Sequence, residues 1–104
     1  MAEFEIGVRR LPRLKRPAVL RYIESGIEPA SFLRAIFEND FVHAACNADL
    51  EDQHALLAYA TFLFCDAPIE CWGSAGKVDS WIAMGGLTSR HLNTSASWPI
   101  FFPN

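Results

Sequence analysis

Residues 55–65 read Ala55-Leu56-Leu57-Ala58-Tyr59-Ala60-Thr61-Phe62-Leu63-Phe64-Cys65, and only Thr61 interrupts the apolar run. The run predicts a helix that is apolar on every side, and such a helix is expected to be buried on every side. This makes it the expected central helix, with the rest of the chain packed round it. Truncating Leu57 or Phe62 to Ala is then expected to cost about 2–5 kcal/mol.

The flanking sequence supplies candidates for the cover. Upstream, Asp49 reads as the cap of a longer helix, with Glu51 and Asp52 in its first turn where acidic side chains favour the helix dipole. Asn39-Asp40 reads as a stop and a new cap, followed by a short helix over 41–47. A helix over 17–25 starts with Pro17 at its first position and ends at Gly26, whose left-handed conformation lets Ile27 fold back onto Tyr22. Val19, Leu20 and Ile23 face the core. The next helix is placed from Pro29, with Ile27 and Phe32 at hydrophobic-staple spacing and an apolar stripe of Phe32, Leu33, Ile36 and Phe37. Downstream, Asp66-Ala67-Pro68-Ile69-Glu70-Cys71-Trp72-Gly73-Ser74 reads as a packed corner. Pro68 ends the preceding helix's path, Trp72 anchors the turn, Gly73 permits the bend, and Ser74 caps a last helix to about Met84. Val78, Trp81 and Ile82 share one face of that helix, and Gly85-Gly86 terminates it.

The expected fold is therefore all-α: a compact single domain of about five short helices around a buried central helix. Residues 1–16 are expected to form a basic arm, residues 17–86 the helical domain, and residues 87–104 a C-terminal aromatic tail. Phe4, Ile6 and Val8 alternate with other residues, which suggests a short extended segment in the arm. Pro12 and Pro17 interrupt any long helix there.

Totals narrow the class. At 104 residues, with 51% hydrophobic and 20% charged residues, the chain is expected to bury one core. A net charge of −3 is too mild to mark a nucleic-acid binder. Three cysteines, an odd number, read as reduced thiols in a cytoplasmic protein. The acidic start shows no signal peptide, and the longest apolar run is too short to span a bilayer, so no membrane partner is expected.

Charge is polarised. Five of the nine basic residues, Arg9, Arg10, Arg13, Lys15 and Arg16, fall in the arm, whereas residues 23–66 carry acidic residues and a single basic one, Arg34. Arginines and aromatics are enriched at binding hot spots. The candidate partner-binding residues are those five together with Trp98, Ile100, Phe101 and Phe102 of the tail. Catalytic and metal readings have less behind them. No phosphate-binding loop, nucleotide-binding glycine pattern or G-x-S-x-G is present. His43 and Cys46 share a helical face, but Cys65 and Cys71 lack the tight spacing of a zinc knuckle, so the three cysteines are expected in the core and no cofactor or enzyme activity is assigned.

The order Arg21-Tyr22-Ile23-Glu24-x-Gly26-Ile27-x-Pro29-x-x-Phe32-Leu33-Arg34-Ala35, then Asn39-Asp40, Ala48-Asp49, Ala67-Pro68-x-x-Cys71-Trp72-Gly73-Ser74 and Trp81-Ile82 resembles a group of small helical proteins encoded by tailed phages and prophages. The resemblance covers about two thirds of the chain. It implies a phage accessory protein in the cytoplasm of a bacterial host, and it brings no catalytic residues. Small phage proteins of this kind commonly occupy a host protein, as anti-CRISPR and other anti-defence inhibitors do. The expected activity is therefore protein–protein binding, with a host or phage protein as partner. The alternative is a small nucleic-acid-associated regulator using the basic arm. An aromatic tail is also suited to exchange between the copies of a homodimer.

Overall fold

In a computed structural model, which describes residues 3–88, the chain is mostly helical and contains no strand among the described residues. In order come α1 (Glu3–Gly7), α2 (Arg16–Ser25), α3 (Ser31–Phe37), α4 (Phe41–Asn47), α5 (Leu50–His54), α6 (Leu56–Cys65) and α7 (Ala75–Met84). Short 3-10 turns at Val8–Arg10, Arg13–Lys15 and Ile69–Cys71 join them.

Sequence-level capping signals set most of these boundaries. Asp40 caps α4 by accepting from the His43 N–H, Asp49 caps α5 through Asp52 N–H, and Ser74 caps α7 through Lys77 N–H. Pro17 sits in the first turn of α2, and Gly26 ends it in the left-handed region at φ +68°, its N–H donating to the Tyr22 carbonyl. Gly85 and Gly86 end α7 in the same way. Gly26 and Gly86 also face each other. A Cβ on Gly86 would lie 2.6 Å from the Gly26 backbone nitrogen, so the ends of α2 and α7 meet main chain to main chain.

Several boundaries differ from the sequence reading. The second helix starts at Ser31, not at Pro29, and Ala30 is its N-cap. Ile27 is half exposed, and its N–H folds back to the Arg21 carbonyl at 3.4 Å. The expected long helix from Asp49 is broken at Ala55, which leaves the α-region and separates α5 from α6.

The core is centred on Tyr22. This fully buried side chain stacks at 4.3 Å on Phe37, its hydroxyl donates to the Cys71 carbonyl at 2.6 Å, and its carbonyl accepts from Trp81 Nε1 at 3.0 Å. Burial pushes the Tyr22 phenol far above its ordinary pKa, so it remains a donor. One residue thereby ties α2 to α3, to the corner at Cys71 and to α7. The corner behaves largely as its residues suggest. Gly73 adopts φ +130° and donates to the Phe37 carbonyl, while Trp72 is half-buried against the core.

The most enclosed helix is α3, which buries Phe32, Leu33, Ala35, Ile36 and Phe37 between α4, α6 and α7. The expectation for 55–65 is thus corrected: α6 lies at the edge, and only part of its circumference has neighbours.

Residues 3–15 are not an extended arm. Phe4, Val8 and Leu11, at helical spacing, are buried in the same core as Tyr22. Alternation at Phe4, Ile6 and Val8 is incidental, because Ile6 points to solvent while Phe4 and Val8 stack one helical turn apart. Gly7 is buried against Asp66, where any Cβ would collide with the carboxylate. The boundary at residue 16 therefore separates no free arm from a body.

Candidate binding surface

Helix α6 divides lengthwise by its own periodicity. Tyr59, Phe62 and Leu63 point inward and are buried. On the opposite side Leu57 is 80% exposed and Phe64 84% exposed, one heptad apart, with Thr61 and Cys65 exposed between and beside them. Thr61 does little to make this side polar. Its hydroxyl donates to the Leu57 carbonyl at 2.9 Å, so its hydrogen-bonding capacity is directed back into the helix. No residue of α6 is charged. An exposed apolar stripe of this kind marks a contact surface more often than chance placement does, because scattered single residues are normal and a continuous stripe is not.

A different side of the helix, roughly opposite the first, carries Ala55, Ala58, Phe62 and Asp66 at i, i+3, i+7 and i+11. It faces the N-terminal segment. Arg10 pairs with Asp66 at 3.5 Å while its side chain stays 63% exposed, and Arg10, Arg13 and Arg16 line an open cleft with Glu51, His54 and Ala55. The basic residues therefore reach the body of the protein along one flank of α6.

The five basic residues singled out in the sequence have different roles. Lys15 donates to the buried Asp52 carboxylate at 2.7 Å and lies 3.5 Å from Asp49. The second oxygen of Asp52 accepts from the Tyr59 hydroxyl at 2.9 Å. Lys15 also sits 5.9 Å above the Phe32 ring. Its hydrogen bond to Asp52 raises the ammonium pKa against the opposing effect of burial. Arg16 donates to the carbonyls of Leu11 and Arg9 at 2.9 and 2.6 Å, holding the preceding loop. Arg9 is exposed. Arg13 is exposed and has no ion-pair partner among the described residues. Arg34, the one base in the acidic middle, collects Glu28, Glu38 and Asp79. Trp98, Ile100, Phe101 and Phe102 lie outside the described residues.

The cysteines also separate. Cys71 is completely buried, and burial pushes its thiol up to about 12, so it stays protonated at neutral pH. Cys46 and Cys65, expected in the core, are exposed instead. Among the described residues no three His, Cys, Asp or Glu side chains are grouped to hold a metal ion.

Sequence reasoning missed the α6 face because the apolar run of 55–65 was assigned wholly to the core. The signal available was Thr61, the lone break in the run, which lies midway between Leu57 and Phe64 on the exposed side. Comparisons with protein-family models, with curated proteins and with solved structures return no match.

Proposed function

We propose that this chain is a small helical binding protein that works by occupying another protein, and that the Leu57–Thr61–Phe64 side of α6 is its contact surface. The observation that carries the reading is the 84% exposure of Phe64 on a helix without charge. Burying Leu57 and Phe64 in a complex would contribute roughly 1.5–3 kcal/mol each. Association costs about 4 kcal/mol or more in lost freedom, so the two residues are anchors and further contacts must surround them.

The phage-type block between Arg21 and Ile82 supports a host protein of the bacterial cytoplasm as the partner class, with a component of a defence system as the specific reading. No helix among the described residues is long and apolar enough to cross a membrane, which is compatible with that setting. The nucleic-acid alternative draws less support. Lys15 and Arg16 are held by Asp52 and by backbone carbonyls, and Glu51 shares the arginine cleft where a phosphate would have to lie.

The test is a phage-plating assay in a host carrying defence systems, comparing the parent chain with Phe64→Asp and Leu57→Asp. Both variants should melt like the parent and lose the plating advantage. Retention of full activity by both would remove α6 as the contact surface.

A further inference from the structure

The cleft between the N-terminal segment and the junction of α5 with α6 is separate from the apolar stripe, and its lining is uneven in charge. Arg10, Arg13 and Arg16 stand round it with a single carboxylate, Glu51. Glu51 and Arg13 are exposed and make no ion pair among the described residues, so the charges of the cleft are not cancelled from within. Arg10 has only Asp66, at 3.5 Å and outside the lining. Arg16 is the fixed member. Its Nε and Nη2 donate to the carbonyls of Leu11 and Arg9 at 2.9 and 2.6 Å, while its Nη1 has no partner among the described residues. A guanidinium already held by backbone carbonyls loses little further freedom when it receives a carboxylate. Leu11 and Pro12, both buried, supply the apolar part of the lining. We propose that this cleft binds an extended acidic segment of another protein, with carboxylates on Arg13 and Arg16 and an uncharged or basic residue opposite Glu51.

Glu51 selects a peptide over a phosphate chain. A nucleic-acid backbone carries a charge on every nucleotide and cannot skip the one that meets Glu51. A peptide sets its carboxylates one at a time, so the position facing Glu51 is free to be neutral or basic. Glu51 then works against uniformly anionic ligands. The cleft holds about 360 Å³ and is open to solvent, which suits a segment lying across it better than a small molecule that must be enclosed. The whole chain has a net charge of −3, so an acidic ligand gains no attraction from the overall field and must be held by the local arginines. The site is independent of the Leu57–Phe64 surface, because Ala55 lies on the other side of α6, and either can fail without the other.

Fluorescence anisotropy with the full chain tests the assignment at about 0.1 M salt, where the Debye length is ~10 Å. The first probe is a labelled peptide of alternating Glu and Gly, about 12 residues long and roughly 40 Å when extended. The others are the same peptide with Gln for Glu, and an oligothymidylate of similar length. The Glu peptide should bind at least about 10-fold more tightly than either of the others. Arg13→Glu, which breaks no ion pair among the described residues, should melt like the parent and remove that preference. The same charge reversal at Arg21, exposed on α2, should leave the preference in place, and so should Phe64→Asp. Equal binding of the Glu and Gln peptides would overturn the proposal. Equal loss with Arg21→Glu would reduce the effect to a general surface field, with the same result. Oligothymidylate binding as tight as that of the Glu peptide, and lost with Arg13→Glu, would assign the cleft to phosphate and overturn the acidic segment. Loss of the peptide with Phe64→Asp would place it on the α6 stripe and overturn the cleft.

Discussion

The N-terminal segment and helix α6 pack against each other and are built on opposite plans. Residues 3–16 hold the densest run of positive charge in the chain, yet Phe4, Val8 and Leu11 are core residues, and Lys15 and Arg16 are tied to partners inside the protein. Residues 56–65 are the most apolar run in the chain, yet Leu57 and Phe64 stand in solvent. A charged run can therefore be scaffolding, and an apolar run can be surface. What decides each case is the number of neighbouring elements available to cover a side chain, which depends on tertiary placement and not on composition.

The comparison can be broken most decisively within α6 itself. Phe62→Ala should cost about 3–5 kcal/mol, since it removes a buried ring from the inward side of α6. Phe64→Ala, two residues along, should stay within about 0.5 kcal/mol of the parent. Chemical denaturation of the two variants measures the contrast, and equal losses would return α6 to the interior. Leu57→Ala belongs with Phe64→Ala, in place of the 2–5 kcal/mol expected for a buried residue.

The same division should appear among the basic residues with a smaller amplitude. Lys15→Ala strands a carboxylate that is only 1% exposed, for about 2–3 kcal/mol. This is below the range for a fully enclosed pair because Lys15 keeps some contact with water. Arg13→Ala should leave the denaturation midpoint unchanged. If the two behave alike, the run from Arg9 to Arg16 is a uniform charged surface after all. The Lys15 contribution has a definite pH range. Its folded pKa lies above the ordinary 10.5, so the stabilisation is complete below 10.5 and disappears as pH rises through the higher folded value. Base titration of the parent against Lys15→Ala should show the gap closing only in strongly alkaline solution.

The smallest effect is expected at α4, where Asp40 and His43 touch at the surface. Asp40 raises the His43 pKa above 6.5, and His43 lowers that of Asp40 below 3.8. The His43 share is present below 6.5 and is lost as pH rises through its raised value. The Asp40 share is present above 3.8 and is lost as pH falls through its lowered value, so both are complete between those limits. In Asp40→Asn, NMR titration should find the His43 midpoint moved down toward 6.5. An unmoved midpoint would mean that the pair does not form in solution.

Local features of the fold were legible in the sequence wherever a short-range rule applied. The caps at Asp40, Asp49 and Ser74 and the stop at Gly26 each depend on residues within a few positions. The misreadings at Phe4, Leu57, Cys46 and Cys65 share one cause. Each asked whether a side chain of suitable polarity would find a neighbour far away in the chain. Periodicity places such a residue on a face of its helix and is silent on what stands opposite. The candidate surface was invisible for the same reason, since Leu57 and Phe62 look alike until it is known which side of α6 the core covers.

The two hydrogen bonds at Tyr22 have a consequence for the order of events during synthesis. Their partners lie 49 and 59 residues further along, at Cys71 and Trp81. At translation rates of about 5–20 residues per second, the indole follows the tyrosine by roughly 3–12 s. For that interval Val19, Tyr22 and Ile23 are in the growing chain without the residues that enclose them. The side chains round which the finished core is centred are thus apolar surface that the nascent chain leaves uncovered until α7 has been made.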